Sequence, residues 1–312
     1  MDPWCARCGA WASVSHERPR PAARRGRSPS LGEDVAQRQE GSPVSAPVRP
    51  SEGGAHPPRG AHAARWAEDA PASAAAASAV RHAVYFAPPP HSALWRAGSA
   101  WLGRDAAAGG AGELPPLALE GFDATAVRAF TAKPRRYGFH ATLKAPFHLR
   151  AGCDEDSLRA ALAGLAGQLA PFALRLRVGR VGDFLALVPA GPAAELDALA
   201  ATCVTGLDAW RRAPDAAELA RRAAAGLDAR ERALLARWGY PWVLERFRFH
   251  MTLTDTLADG VLERLLPELD AYFAPLLAGP VAVDALSLFR QPCAGAPFEL
   301  VERFALRAPA GV

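Results

Sequence analysis

From about residue 80 onward the apolar positions follow two periods, two residues for strands and three to four for helices. Residues 82–87 read as a strand stopped by Pro88, Pro89 and Pro90, and Ser92 can cap a short helix reaching Trp101. A second short helix is predicted over 123–130 and a strand over 137–147. A helix follows over 154–169, with Leu158, Leu162, Leu165 and Leu169 on one face, before strands at 173–178 and 184–188. The second half opens with a helix over 193–212 and two more within 215–238. It continues with a strand at 246–254, a helix over 257–277 and strands at 281–289 and 298–306. Strand, helix and paired strands thus occur twice in similar order. This predicts a duplicated, two-lobed α+β fold rather than a doubly wound parallel sheet.

The first 79 residues break the pattern. They hold one Leu (Leu31), no Phe and no Tyr, whereas all 13 Phe occur from Phe86 onward. Such a segment buries too little apolar surface to offset its ordering entropy. Residues 1–79 are expected to be a disordered low-complexity tail, or upstream sequence outside the natural protein, and 80–312 the two-lobed domain. A start at Val80 fits a GTG codon, which is written as Val when read from an upstream Met. Within the tail, Cys5 and Cys8 have metal-ligand spacing, but a structural zinc site needs four ligands and no second pair follows. Cys153, Cys203 and Cys293 are isolated and are expected to be buried or incidental thiols.

Composition narrows the class. With 50% hydrophobic and 22% charged residues and an odd Cys count of 5, the chain is a core-forming protein and not a disulfide scaffold. A net charge of +4 over 312 residues is too weak for a nucleic-acid polyelectrolyte. No apolar run approaches the ~18 residues of a membrane span. The hydrophobic segment that should follow a twin-Arg signal at Arg24 and Arg25 is missing. The expectation is a cytoplasmic monomer with no membrane partner.

The strongest signal is internal. Phe139-His140-Ala141-Thr142-Leu143 recurs as Phe249-His250-Met251-Thr252-Leu253, identical at four of five positions. With 8 His in 312 residues and as many Thr, chance predicts about 0.2 such His-x-Thr pairs, so the repeat marks two equivalent units. On a strand, side chains at i and i+2 point to the same side about 6–7 Å apart. In the second copy Phe247, Phe249, Met251 and Leu253 form an apolar face, and Arg246, Arg248, His250, Thr252 and Thr254 a polar one. The first copy sets Tyr137, Phe139, Ala141 and Leu143 against Arg136, Gly138, His140, Thr142 and Lys144. Two such strands facing a cleft supply one imidazole to take a proton and one to give it, with hydroxyls and cations to bind an anion. That is equipment for metal-free phosphodiester chemistry, and an imidazole of pKa ~6.5 suits both roles. Lys133 and Lys144 are the two Lys of an Arg-rich chain. Strand parity aims Lys144 at the anion, whereas Lys133 reads as a loop charge. His82, His91 and His148 read as packing or surface residues, and the aromatic run 238–242 as packing or as a platform for a sugar or base.

These residues resemble the two-histidine phosphoesterase superfamily, whose mark is one H-x-[TS] motif in each lobe of a duplicated α+β fold. The resemblance covers about 80–306. Segments 83–89, 135–147 and 246–254 are similar to a branch assigned to phosphonate metabolism and found beside genes of the carbon–phosphorus lyase pathway. It implies two antiparallel sheets facing a central cleft with helices outside. It also implies His140 and His250 as the catalytic pair and Thr142 and Thr252 on phosphate oxygens. No Asp/Glu/His cluster with metal-ligand spacing accompanies them, so no cofactor or metal is expected. Lys144, Arg136 and Arg248 are further phosphate-binding candidates, and Arg246 is another by strand parity.

The expected activity is opening of a cyclic phosphate on a small sugar or nucleotide, specifically 5-phosphoribosyl 1,2-cyclic phosphate. An RNA 2′,3′-cyclic phosphodiesterase or 2′-5′ ligase is the alternative, and a non-catalytic phosphate-ester binding module is a third reading. Residues 80–312 carry 26 basic and 24 acidic residues, a balance that favours a small substrate over RNA.

Overall fold

The computed structural model describes residues 80–109, 112–115, 117–223 and 226–307. The tail with its Cys5/Cys8 pair lies outside the described residues. The class is α+β with antiparallel strands, in a seven-stranded and a two-stranded sheet. The strands are β1 (Arg81–Phe86), β2 (Ala141–Phe147), β3 (Phe172–Leu174), β4 (Leu176–Val181), β5 (Phe184–Pro189), β6 (Met251–Thr252), β7 (Val281–Val283), β8 (Ala285–Gln291) and β9 (Glu299–Ala305). The larger sheet runs β4-β5-β6-β2-β1-β8-β9. One lobe holds β2, β1, β8 and β9, the other β6, β5 and β4, and they meet edge to edge through the pairing of Ala141 with Met251.

The helices are α1 (Ala93–Leu102), α2 (Ala124–Phe130), α3 (Ala132–Tyr137), α4 (Glu155–Ala166), α5 (Ala194–Gly206), α6 (Ala216–Ala223), α7 (Ala229–Trp238) and α8 (Asp259–Leu277). Their starts follow side-chain chemistry. Ser92, Asp123 and Asp154 each accept a backbone N–H of the first turn, and Asp154 with Ser157 completes a reciprocal cap. Among the described residues no helix is long and apolar enough to cross a membrane.

The lobes are not the two halves of the sequence. After the first motif strand, α4 packs under β8 and β9, and the chain then crosses to the other lobe as β4 and β5. After the second motif strand, α8 packs under β4 and β5, and the chain returns as β8 and β9. Each crossing strand is broken, at Arg175 and at Asp284, and the pieces before the breaks, β3 and β7, pair with each other. The single strands expected at 173–178 and 281–289 are therefore each two. The lobes are clasped by exchange, which sequence order alone does not reveal.

The core lies on one face of the motif strands. Phe139, Ala141, Leu143, Phe247, Phe249, Met251 and Leu253 are all buried in it, as the alternation predicts. Helix α1 is fastened to this face. Its Trp101 donates from Nε1 to the Leu253 carbonyl at 2.7 Å, and Gly98 lies flat on the Phe139 ring, where a Cβ would sit 2.3 Å from ring carbons. In an unpacked helix Gly→Ala gains about 1 kcal/mol. Here Gly98→Ala is expected to lower unfolding stability by about 1–3 kcal/mol through overpacking. A urea midpoint that rises instead would show that the ring yields freely.

Candidate active site

Both motifs enter their strands later than the alternation predicts. In the first, Tyr137 ends helix α3, and the ladder begins only at Ala141. Gly138 makes the turn between them with φ 79° and ψ −179°, a conformation open essentially to Gly alone. In the second, residues 244–246 form a helical turn, and only Met251 and Thr252 are laddered. The expected strand at 137–147 thus shrinks at its start, and that at 246–254 at both ends. The polar faces assigned to Arg136 and Arg246 vanish with them.

What remains is a four-residue cluster. With Ala141 opposite Met251, antiparallel register sets His140 beside Thr252 and Thr142 beside His250, all on the face opposite the apolar core. His140 and His250 then occupy one diagonal, with their backbone positions roughly 7–8 Å apart by sheet geometry. Their proximity also registers electrostatically, since the His250 charge lowers the pKa of His140. The two His do not face each other across a gap between sheets. They stand side by side at the seam where the lobes join.

Each imidazole is held in the same way. His140 Nδ1 lies 2.9 Å from the Gly138 carbonyl, and His250 Nδ1 lies 2.8 Å from that of Arg248. A carbonyl only accepts, so Nδ1 carries the proton in both rings and the Nε2 lone pair of the neutral ring is left for chemistry. Thr142 Oγ1 is 3.3 Å from His140 Nε2. The His140 ring stacks on buried Tyr85 with centroids 3.8 Å apart, and Phe184 flanks His250 at 5.7 Å. Tyr85 pairs with Thr142 on the neighbouring strand, which brings its ring under the imidazole.

Burial sets the proton affinity. It pushes His140 down to about 4, against the opposing bond from Gly138, and it lowers His250 against the bond from Arg248. Both rings are thus held toward the neutral form near pH 7, and a phosphate placed between them would raise both toward the charged form. The same shifts make stability pH-dependent. The unfolded chain binds protons near 6.5 and the folded rings bind them at lower pH, so the contribution is complete above about pH 6.5 and is lost as pH falls toward 4. His82 beside Glu155, and His148, are lowered by burial as well and add in the same sense. Urea unfolding free energy is expected to decline from pH 7 to 4.5, and less steeply in His140→Gln; parallel slopes would contradict the assignment.

An open cleft adjoins the cluster, lined by Lys133, Tyr137, His140, Phe184, Thr252 and Asp255 among others. Among the described residues no three His, Cys, Asp or Glu side chains gather as a metal-binding group.

The cations chosen by parity lie elsewhere. Lys144 is turned away by a β-bulge. Between the pairs Tyr85–Thr142 and Val84–Lys144, β2 carries one extra residue, so Lys144 pairs with core-facing Val84. Its Nζ donates to the Val204 carbonyl at 3.0 Å and lies 3.9 Å from Asp208. Burial lowers its pKa to about 8. Arg136 is exposed on α3, Arg246 bonds Asp228 at 2.6 Å, and Arg248 folds onto the Phe247 carbonyl at 2.6 Å. The Trp238 and Tyr240 rings pack against Val204, Leu234 and Val243 beside Lys144. Cys203 is buried and its thiol pKa is pushed up to about 12, which makes it a packing residue. Two residues escaped the sequence reading. Tyr85 gave no signal as part of an apolar run, whereas Lys133 did, by surviving as Lys in an Arg-rich chain.

The register of β2 and β6 thus brings the two H-x-T motifs together on one sheet face. The chain belongs to the family described as Protein of unknown function (DUF1045), whose model matches residues 142–299, half of the chain. It is 44% identical over 226 residues to a protein of Janthinobacterium sp. (strain Marseille) named Ribose 1,5-bisphosphate phosphokinase PhnN, over 71% of this chain and 49% of that one. A protein of the same name from Laribacter hongkongensis (strain HLHK9) is 41% identical over 221 residues, 71% of this chain and 50% of that one. The chain spans about half the length of these curated relatives. Among solved structures it is similar to a phosphoesterase at 15% identity and TM-score 0.30, over 72% of this chain and 98% of that one. It is also similar to E. coli LigT complexed with 3′-AMP at 17% identity and TM-score 0.33, over 73% and 98%. Scores this low leave the functional reading to the residues of this chain.

Proposed function

We propose that the chain is a phosphodiesterase that opens a cyclic phosphate, with His140 and His250 as its acid and base. The observation that carries this reading is the matched pair of Nδ1–H bonds to the i−2 carbonyl, which leaves two Nε2 atoms on one side of the seam. One Nε2 takes a proton from water as its oxygen attacks phosphorus. The other ring, as imidazolium, gives a proton to the departing ring oxygen as the P–O bond breaks. Thr142 and Thr252 donate to the non-bridging oxygens, whose charge grows in the transition state.

The substrate we propose is 5-phosphoribosyl 1,2-cyclic phosphate. Water adding at phosphorus with loss of the O2 ester converts it to ribose 1,5-bisphosphate, the compound in the printed name of both relatives. The half of those relatives matched by this chain would make what their phosphokinase activity consumes. A P-loop kinase role for the chain itself lacks support. Its two lysines are followed by Pro134 and Ala145, so no Gly-Lys-Ser/Thr phosphate loop is present.

The test is a substrate panel followed by phosphorus NMR on EDTA-treated enzyme. The expected result is turnover of the ribosyl cyclic phosphate to ribose 1,5-bisphosphate, faster than 2′,3′-cyclic nucleotides or 2′-5′-linked RNA, with activity unchanged by the chelator. Preference for RNA ends would move the reaction to RNA processing. Rescue by a divalent metal after full loss would remove the two-histidine mechanism, and no turnover of any ester would favour a binding module.

A further inference from the structure

We infer that Lys133 is the specificity residue for a second phosphate on the substrate, one that takes no part in the bond broken between the imidazoles. The inference rests on the phosphodiesterase reading above and deepens it. A sugar carrying both a cyclic and a terminal phosphate needs a cation beside the cavity, apart from the two hydroxyls of the seam. Lys144, Arg246 and Arg248 are engaged with other groups, and Arg136, exposed on α3, is not among the residues lining the cavity. Among the described residues lining the cavity, Lys133 is the one cation.

Its setting suits that task. Lys133 lies in helix α3, two turns of chain before His140, and is 43% exposed at its side chain. Its Nζ lies 3.3 Å from Asp255 Oδ1, and Asp255 follows the second motif by three residues. The pair therefore ties together the approaches to both motifs. Asp255 Oδ1 also accepts the Thr256 N–H at 3.0 Å, so the carboxylate is anchored independently of Lys133. An ammonium has three donors and this ion pair occupies one, which leaves donors for a phosphate oxygen. Held at the rim by a fixed carboxylate, the ammonium is positioned before substrate arrives, so little side-chain entropy remains to be lost on binding.

The experiment measures two things on wild type, Lys133→Gln and Lys133→Arg. The first is calorimetric binding of ribose 5-phosphate, which carries the terminal phosphate and no cyclic ester. The second is kcat and KM for 5-phosphoribosyl 1,2-cyclic phosphate and for ribose 1,2-cyclic phosphate. Lys133→Gln is expected to weaken ribose 5-phosphate binding and raise KM for the doubly phosphorylated substrate by about 10–100-fold, the scale of a charge-assisted contact. Its kcat should stay near wild type, its action on ribose 1,2-cyclic phosphate should be unchanged, and Lys133→Arg should recover most of the loss. Unaltered ribose 5-phosphate binding in Lys133→Gln overturns the inference, as does an equal loss on both cyclic substrates. Should wild type bind ribose 5-phosphate through Lys133 yet open neither cyclic ester, the second-phosphate site stands and the phosphodiesterase reading falls.

Discussion

Replacing either His140 or His250 by Ala is expected to lower kcat for cyclic phosphate opening by on the order of 10²–10⁴-fold, the range for loss of one positioned acid or base. The two losses should not add. An acid and a base that serve one transition state act as a unit, so the double variant is expected to be little worse than either single one. Steady-state kinetics on the three variants checks this. Binding of a non-hydrolysable phosphate ester should persist in all three, because Thr142 and Thr252 remain. A large loss in one variant with near-normal turnover in the other would break the pairing.

Gly138→Ala is expected to damage stability and chemistry together. At φ 79° and ψ −179° an L side chain costs about 1–3 kcal/mol in backbone strain. The new Cβ would also fall 2.6 Å from the Ala106 Cβ, and relieving that clash adds a similar amount. The relief must move the Gly138 carbonyl, which is the acceptor for His140 Nδ1–H. A ring no longer held in one tautomer presents Nε2 in the wrong protonation state part of the time, so kcat should fall in the protein that remains folded. Urea unfolding and kinetics on the same preparation separate the two effects. A destabilised variant with unchanged kcat would show that the carbonyl does not set the ring.

How far the sequence reads depends on what each element is made of. Strand alternation identified the buried face of both motifs because Phe139, Ala141, Leu143 and Phe249, Met251, Leu253 report one local property, burial. Helix starts were legible for the same reason: Ser92, Asp123 and Asp154 act on their own first turns. Parity failed where one residue of register was inserted. The bulge between Thr142 and Lys144 depends on pairing with β1, almost 60 residues away, and leaves no local mark. The exchange of strands between lobes was invisible as well, since it is decided by which edges pair. Tyr85 became part of the site only through stacking across strands. Lys133 could have been found from composition, but its loop-like surroundings hid that it reaches the cavity.

The pairing of two imidazoles as acid and base is tested most directly by the pH dependence of kcat/KM alongside that of kcat, for wild type on one cyclic phosphate. Because kcat/KM reports the free protein, whose His140 titrates near 4 and whose His250 lies below 6.5, its bell is predicted to centre below pH 6.5. The kcat bell reports the bound state, in which the phosphate raises both rings, and it should lie at higher pH. A kcat/KM profile without an acid and a basic limb, or one that coincides with the kcat profile above neutrality, would contradict an acid and base drawn from this buried pair.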